Sequence, residues 1–171
     1  MPADPNQPEI AQSLSVRTYE ARDQKVVSDL YTNGMLFGGH VAPNDTGADI
    51  EYIRDEYLSD PRCHFWVAEM DGKVVGMIGV AAEEQHTAEI RRLRVDPAFQ
   101  DTPIAQTLLT TAIDHCRHHN YLKVRLDTRF EQDQALDLFQ RIGFQHNRTR
   151  SVQNKDLLEF YFDIYRKPDE D

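Results

Sequence analysis

The fold is decided by residues 88–109, which read AEIRRLRVDPAFQDTPIAQTLL. At its start the apolar residues stand at 88 and 90, as in a regular strand, but the next two stand at 93 and 95. This jump of three predicts one inserted residue, a β-bulge near Arg91–Leu93. Bulges bend a strand and leave backbone groups unpaired, so they often lie at functional sites. The alternative is that Arg92 extends along an exposed edge with its charge in water.

A helix follows this strand and is predicted to begin at Pro103. Its buried stripe has clean helical spacing and comprises Ile104, Ala105, Leu108, Leu109, Ala112, Ile113 and Cys116. The N–H groups of a first helical turn lack intrahelical partners, and the helix dipole is positive there. The order of strand, bulge, loop and helix N-terminus therefore predicts an anion site suited to a pyrophosphate.

Outward from this stretch, strands and helices alternate along most of the chain. Strands are predicted at Leu14–Tyr19, Phe65–Glu69, Val74–Val80, Ala88–Val95, Leu122–Thr128, from Phe144 and over Leu157–Tyr165. Helices are predicted from Asp23 to about Leu36, from Asp45–Thr46 to Pro61, from Pro103, and over Gln134–Ile142. The Asp71-Gly72 pair predicts a hairpin between two of the strands. The pattern indicates an α/β domain with a mixed sheet.

Charge and composition exclude several classes of protein. The 171 residues carry 19 basic and 29 acidic side chains, a net charge of −10, which argues against binding to nucleic acid or to an anionic membrane. The longest apolar stretch, Val74–Ala82, is far shorter than the about 20 residues of a membrane helix. The start of the sequence lacks the pattern of a secretory signal, and Cys63 and Cys116 are too few for a disulfide framework. We therefore expect a cytoplasmic protein.

The chain is predicted to hold one domain. Residues 1–13 contain three prolines and one large aliphatic residue, which predicts a disordered tail. Residues 14–167 form the predicted domain, and residues 168–171 are expected to be a solvated acidic tail.

The loop at residues 100–105 reads QDTPIA, and residues 135–144, at the last predicted helix, read ALDLFQRIGF. These two motifs resemble those of the GNAT superfamily of N-acetyltransferases. The family's Gln/Arg-x-x-Gly-x-Gly/Ala loop is matched at its ends by Gln100 and Ala105, with Pro103 in place of the first glycine. Residues 135–144 (ALDLFQRIGF) are similar to the family's Ala-x-x-Leu-Tyr-x-x-x-Gly-Phe helix, with Phe139 in place of tyrosine. The blocks at 65–69 and 74–79 look closest to the camello-like acetyltransferases. The resemblance implies a mixed, splayed sheet of about six to seven strands flanked by about four helices.

The resemblance also implies a substrate and a site. The protein is expected to be an acyltransferase that moves an acetyl group from acetyl-coenzyme A to a primary amine, on a small molecule or a peptide, by direct attack. The backbones of Leu93, Arg94 and Val95 are expected to pair with the pantetheine arm. The pyrophosphate is expected on the loop formed by Gln100, Asp101, Thr102, Pro103, Ile104 and Ala105. The sequence itself does not indicate the oligomeric state, but a homodimer paired through sheet edges is common in the family that it resembles.

Glu89 is the candidate catalytic residue, because many relatives carry a carboxylate base at this place on the bulged strand. The other interpretation is a structural glutamate paired with Arg91 or Arg92. No metal site is expected, because His115, His118 and His119, together with Asp114, are interpreted as solvated polar residues on a helix tail.

Two departures from the family pattern keep a second function open. Pro103 removes one N–H donor from the pyrophosphate loop, and Phe139 lacks the hydroxyl with which many relatives protonate the leaving thiolate. The alternative is therefore a binding or regulatory module with the same fold and a weakened coenzyme A site.

Overall fold

The computed structural model describes residues 13–38, 46–129, 133–152 and 155–164. Its strands are β1 (Leu14–Thr18), β2 (Met35–Gly38), β3 (His64–Met70), β4 (Lys73–Ala82), β5 (Thr87–Val95), β6 (Lys123–Arg129), β7 (Gln145–Val152) and β8 (Lys155–Asp163). Its α-helices are α1 (Gln24–Asn33), α2 (Ala48–Glu51), α3 (Ile104–His118) and α4 (Asp133–Ile142). Shorter 3₁₀ turns cover Ala21–Asp23 and Pro97–Phe99, and a π-helical turn covers Arg54–Leu58. The acidic tail and, apart from Ser13, the N-terminal tail lie outside the described residues.

The strands form one mixed sheet in the order β1-β3-β4-β5-β6-β8-β7. The pair β5–β6 is parallel, and the other pairs are antiparallel. The short strand β2 pairs with β5 outside this order. The predicted mixed sheet is confirmed, and β2 is an additional strand that the sequence did not predict.

The predicted bulge lies in β5. Arg94 stands opposite Met77 and Arg91 opposite Gly79, so two residues of β5 face one residue of β4. Arg92 has a φ of 57°, in the left-handed region. The jump in the apolar pattern therefore marked an inserted residue.

The main core lies between the sheet and the helices α3 and α4. The whole stripe of α3 predicted from the sequence is buried in it, together with Ile90, Leu126 and Phe160 of the sheet. Gly76 lets α3 approach β4 closely, because a Cβ there would lie 3.0 Å from both Ile104 Cγ2 and Leu108 Cδ1. This close contact places the first turn of α3 beside the end of β5.

A second core covers the other face of β3 and β4. It packs α1, α2 and the π-helical turn against the sheet through residues such as Val27, Ile50 and Phe65. Among the described residues, none of the helices is both long and apolar enough to cross a membrane.

The helix α1 ends earlier than the sequence pattern suggested. It was predicted to reach about Leu36, but it stops at Asn33, and β2 begins at Met35. Gly34 is extended there (ψ 154°), and its N–H donates to Leu30 O at 2.8 Å. Glycine is a weak helix former, and the free edge of β5 supplies partners for the residues that follow it.

Candidate functional site

The sheet opens between the two parallel strands β5 and β6. Their pairing covers Thr87↔Lys123, Ala88↔Val124 and Glu89↔Arg125 and ends there. Beyond this point β5 passes through the bulge and β6 continues beside β8. We call this opening, between residues 90–95 of β5 and residues 126–129 of β6, the splay.

The described backbone of β2 lies inside the splay. Met35 pairs with Val95, Leu36 with Arg94 and Gly38 with Leu93, in antiparallel order. The strand also contacts β6 and α4. The three residues predicted to bind the pantetheine arm therefore pair with a segment of the chain itself in this structure.

The direction of the backbone groups after the bulge can be read from Asp96. Its N–H donates to Val75 O of β4 at 2.8 Å. Because backbone groups of successive strand residues point to opposite sides, those of Val95 and Leu93 point into the splay. This is the edge along which β2 lies.

The predicted anion site is the N-terminus of α3, which comes shortly after β5 in the chain. α3 begins at Ile104, and the Thr107 N–H donates to Pro103 O at 2.9 Å. The N–H groups of Ile104, Ala105 and Gln106 precede the first intrahelical bond, so they have no acceptor within the helix. The sequence placed this N-terminus correctly to within one residue, although Pro103 is the N-cap and not the first helical residue.

The rest of the predicted loop leaves the helix end uncapped by side chains. Thr102 turns back, with its Oγ1 donating to Phe99 O at 2.5 Å. Gln100 and Asp101 are exposed, and no side chain caps α3. The first-turn N–H groups are thus not satisfied by Asp101.

On the face of the sheet opposite α3, the residues around the splay form an ionic cluster. Four carboxylates and four guanidinium groups are joined by contacts of 4.0 Å or less: Glu83, Glu89, Asp127, Glu159, Arg91, Arg125, Arg148 and Arg150. The side chains of β6 alternate between the two faces of the sheet, which separates the ionic cluster from the main core. Val124 and Leu126 are buried in the main core, while Arg125 and Asp127 point the other way.

Glu89, the predicted base, is held by two arginines. Its Oε1 accepts from Arg91 Nε at 2.8 Å and its Oε2 from Arg125 Nη2 at 3.0 Å. The pairing with Arg91 is the structural alternative given above, and Arg92 turns elsewhere. Both carboxylate oxygens of Glu89 are therefore engaged in short ion pairs.

Asp127 is a carboxylate that the sequence pattern does not mark as a candidate. It lies on β6 two residues beyond the last β5–β6 pair, and its side chain is 6% exposed. The pKa of Asp127 is raised to about 6, chiefly by burial. The positive charge of Arg125 acts to lower this pKa, and the negative charge of Glu159 adds to the rise. The available sequence signal was only the polar alternation of β6, which does not distinguish Asp127 from any other strand carboxylate.

The remaining candidates differ in their surroundings. Phe139 is fully buried, with its ring 5.9 Å from those of both Phe144 and Phe160. His118 is exposed as expected, whereas His115 is half-buried, with Nε2 3.0 Å from Arg62 O. Within the described ranges, no group of three or more histidine, cysteine or acidic side chains has the arrangement of a metal site.

Comparison with known proteins identifies the architecture. Residues 29–144 match the acetyltransferase (GNAT) family. Among solved structures, Ard1 from Thermoplasma volcanium has a TM-score of 0.75 at 20% identity, covering 90% of this chain and 99% of that one. The acetyltransferase yncA from Salmonella typhimurium, solved with acetyl-CoA, has a TM-score of 0.73 at 18% identity, covering 93% and 98%. At these identities the likeness concerns the fold.

Curated relatives match over a shorter region. N-acetylaspartate synthetase from Mus musculus is 36% identical over 99 residues, which are 57% of this chain and 33% of that protein. N-acetyltransferase 8 from Homo sapiens is 36% identical over 102 residues (57% and 45%). The probable N-acetyltransferase camello from Xenopus tropicalis is 33% identical over 102 residues (58% and 47%). The match spans less than half of each of these relatives, and it confirms the resemblance to camello-like proteins. The chain belongs to the acetyltransferase (GNAT) family.

Proposed function

We propose that this protein transfers an acetyl group from acetyl-coenzyme A to a primary amine. The observation that carries the proposal is the splay between β5 and β6, with the bulge on one side and the open N-terminus of α3 at its end. The first-turn N–H groups suit a pyrophosphate, and the edge of Leu93 and Val95 suits the amides of a pantetheine arm. Membership of the family supports both assignments.

The chemical step is a direct transfer. The neutral amine nitrogen forms a bond to the thioester carbonyl carbon, the carbon–sulfur bond breaks, and the coenzyme leaves as a thiolate, which takes up the proton that the nitrogen releases on becoming an amide. The amine must first lose a proton, which requires a base beside the splay. Glu89 was predicted for this role, but we propose Asp127 as the better candidate, because burial raises its pKa to about 6 even though it contacts Arg125 (3.1 Å) and Arg150 (3.6 Å).

An amino acid is the acceptor that suits this face best. Arg150 Nη2 lies 3.6 Å from Asp127 Oδ2, and the Arg150 side chain is 40% exposed. An α-amino acid carries its carboxylate next to its amine, so the amine reaches Asp127 while the carboxylate pairs with Arg150. The name N-acetylaspartate synthetase, borne by a relative, supports this class.

Acetylation of aspartate should exceed that of an alkylamine without a carboxylate, and Arg150→Gln should remove the preference.

The proposal is tested by calorimetric titration with acetyl-coenzyme A. We expect a dissociation constant well below millimolar and a rise in melting temperature at saturating ligand. Binding no tighter than millimolar, with no thermal stabilisation, would favour the second candidate function, a binding or regulatory module with a weakened coenzyme site. The position of β2 on the edge of β5 is the observation that favours this candidate.

If coenzyme binds as proposed, it has to replace β2. Backbone N–H groups of Met35–Gly38 are then expected to exchange with deuterium slowly in the free protein and faster at saturating acetyl-coenzyme A. Those of Leu93 and Val95 should stay protected, because the pantetheine arm takes over their bonds. Hydrogen-exchange mass spectrometry measures both segments. Continued protection of β2 with coenzyme bound would show that the arm lies elsewhere.

A cytoplasmic location and a homodimer belong to the same proposal. Cys63 and Cys116 are both free and buried, as expected for a reducing compartment. Light scattering on the purified chain measures the oligomeric state directly.

A further inference from the structure

Arg92 has an unusual backbone conformation and an unusually buried charge. It is the inserted residue of the bulge, with a φ of 57°, and it is 2% exposed. A left-handed conformation is unfavourable for a residue with a Cβ and persists only where surrounding contacts hold it. A buried guanidinium equally needs a partner.

That partner is Asp49. Arg92 Nε donates to Asp49 Oδ2 at 3.0 Å, and Arg92 Nη2 donates to Asp49 Oδ1 at 2.6 Å. The Tyr57 hydroxyl donates to Asp49 Oδ2 at 2.6 Å. The Arg92 guanidinium also lies 5.0 Å from the centre of the Tyr31 ring. Burial opposes ionisation of Asp49, but the hydrogen bonds from Arg92 and Tyr57 hold its pKa below the usual range. Asp49 therefore stays charged at neutral pH.

Asp49 comes from a different layer of the fold. It lies on α2, which packs on the sheet face opposite α3 through Ile50. Gly47 precedes α2 with a φ of 68°, and a Cβ there would lie 2.7 Å from the Tyr31 ring. The same ring therefore packs against both Gly47 and the guanidinium of Arg92. The contact ties α2 to the bulge across 43 positions of sequence.

The bulge sets the register between β4 and the part of β5 that follows the inserted residue. Without the inserted residue, the residues after it would shift by one position relative to β4. The side chain of Leu93, now fully buried in the main core, would turn to the opposite face. The backbone groups of Leu93 and Val95 would turn away from the splay.

We propose that Asp49 is a positioning residue, which acts through Arg92 to hold the bulge and thereby aims the backbone of Leu93 and Val95 at the coenzyme. The role in coenzyme binding rests on the function proposed above. The pinning of the bulge does not, and it can be measured without ligand.

The test begins with Asp49→Asn, which keeps the shape and removes the charge. We expect the dissociation constant of acetyl-coenzyme A to rise about tenfold or more, the size of a lost charge-assisted contact. The matched control is Asp23→Asn. Asp23 is also buried and bound through both oxygens by one arginine, Arg17, at 2.8 and 2.9 Å. The control should lower the melting temperature without changing coenzyme affinity.

A rescue variant separates positioning from simple destabilisation. In Asp49→Asn/Arg92→Gly no buried guanidinium is left without its partner, and glycine adopts a positive φ without support. We expect this double variant to bind acetyl-coenzyme A within about threefold of wild type. It remains informative if Asp49→Asn alone fails to fold.

The outcomes that overturn the inference are specific. Wild-type affinity in folded Asp49→Asn contradicts it, as does weak binding by a double variant that melts like wild type.

Hydrogen exchange in the absence of ligand tests the pinning of the bulge independently of coenzyme binding. Amides of Leu93 and Val95 should exchange faster in Asp49→Asn and recover in the double variant. If no variant binds coenzyme but exchange follows this pattern, the proposed function fails and the pinning of the bulge stands. Unchanged exchange refutes the pinning itself.

Discussion

Asp127→Asn is expected to lower kcat by about 10²- to 10⁴-fold, the usual contribution of a positioned general base. Asparagine keeps the shape of the side chain and cannot take a proton from the amine. The affinity for acetyl-coenzyme A should hardly change, because the proposed coenzyme contacts lie on β5 and α3. Release of coenzyme thiol in the presence of an amine acceptor measures the turnover.

The pH profile of the same pair of proteins identifies the group. Since the pKa of Asp127 is raised to about 6, kcat/KM of the wild type should climb as the pH rises through about 6. Asp127→Asn should lack this acidic limb. A wild-type profile that is flat from about pH 5 to about pH 7 would exclude Asp127 as the base.

The substitution should also stabilise the fold at neutral pH. The pKa of Asp127 in the native state lies above the unfolded value of about 3.9, so the native state holds this proton more tightly. The associated stability is present below about pH 4 and is lost as the pH rises through about 6. Asparagine does not ionise and avoids this loss. A higher melting temperature together with lower turnover is the expected signature of a functional carboxylate.

Glu89→Gln is the matched comparison on the neighbouring strand. If Glu89 is the base, its replacement lowers turnover severalfold or more, leaves coenzyme affinity nearly unchanged and removes the acidic limb of the profile. If Asp127 is the base, Glu89→Gln retains that limb. The two ion pairs of Glu89, to Arg91 and Arg125, favour the second result.

The features that were predictable from the sequence are those determined by residues close together in the chain. The bulge was visible because an inserted residue shifts the apolar alternation of β5. The stripe of α3 and the left-handed Gly143 at the end of α4 follow equally from spacing and residue type. Asp71 and Gly72 both have positive φ, as the predicted tight hairpin requires.

The missed features depend on residues far apart in the chain. The extended form of Met35–Gly38 is set by the free edge of β5, which no local propensity encodes. The pKa of Asp127 depends on its burial and on Glu159, which lies on β8, the last of the described strands. The pairing of Arg92 with Asp49 crosses two layers. Such contacts leave no mark in spacing or composition, so the bulge and the N-terminus of α3 were predictable and the electrostatics around them were not.

Pro103→Gly is expected to raise the affinity for acetyl-coenzyme A by up to about tenfold. Pro103 is the N-cap of α3, with φ −76° and ψ 12°, and it is the one residue of the predicted loop without an N–H. Glycine supplies that donor and lets the pyrophosphate approach the backbone more closely. Titration calorimetry of the two proteins under the same conditions measures the change.

The same substitution is expected to lower the free energy of unfolding by about 0.5–1 kcal/mol, because glycine gives the unfolded chain more conformational freedom. Affinity and stability should therefore change in opposite directions. Pro61→Gly, in the turn before β3 and away from the splay, is the matched control and should lower stability alone. A Pro103→Gly protein that melts lower and binds no better would mean that the pyrophosphate does not rest on this helix end. In that case the module with a weakened coenzyme site becomes the preferred function, because the open N-terminus of α3 would then have no ligand to hold.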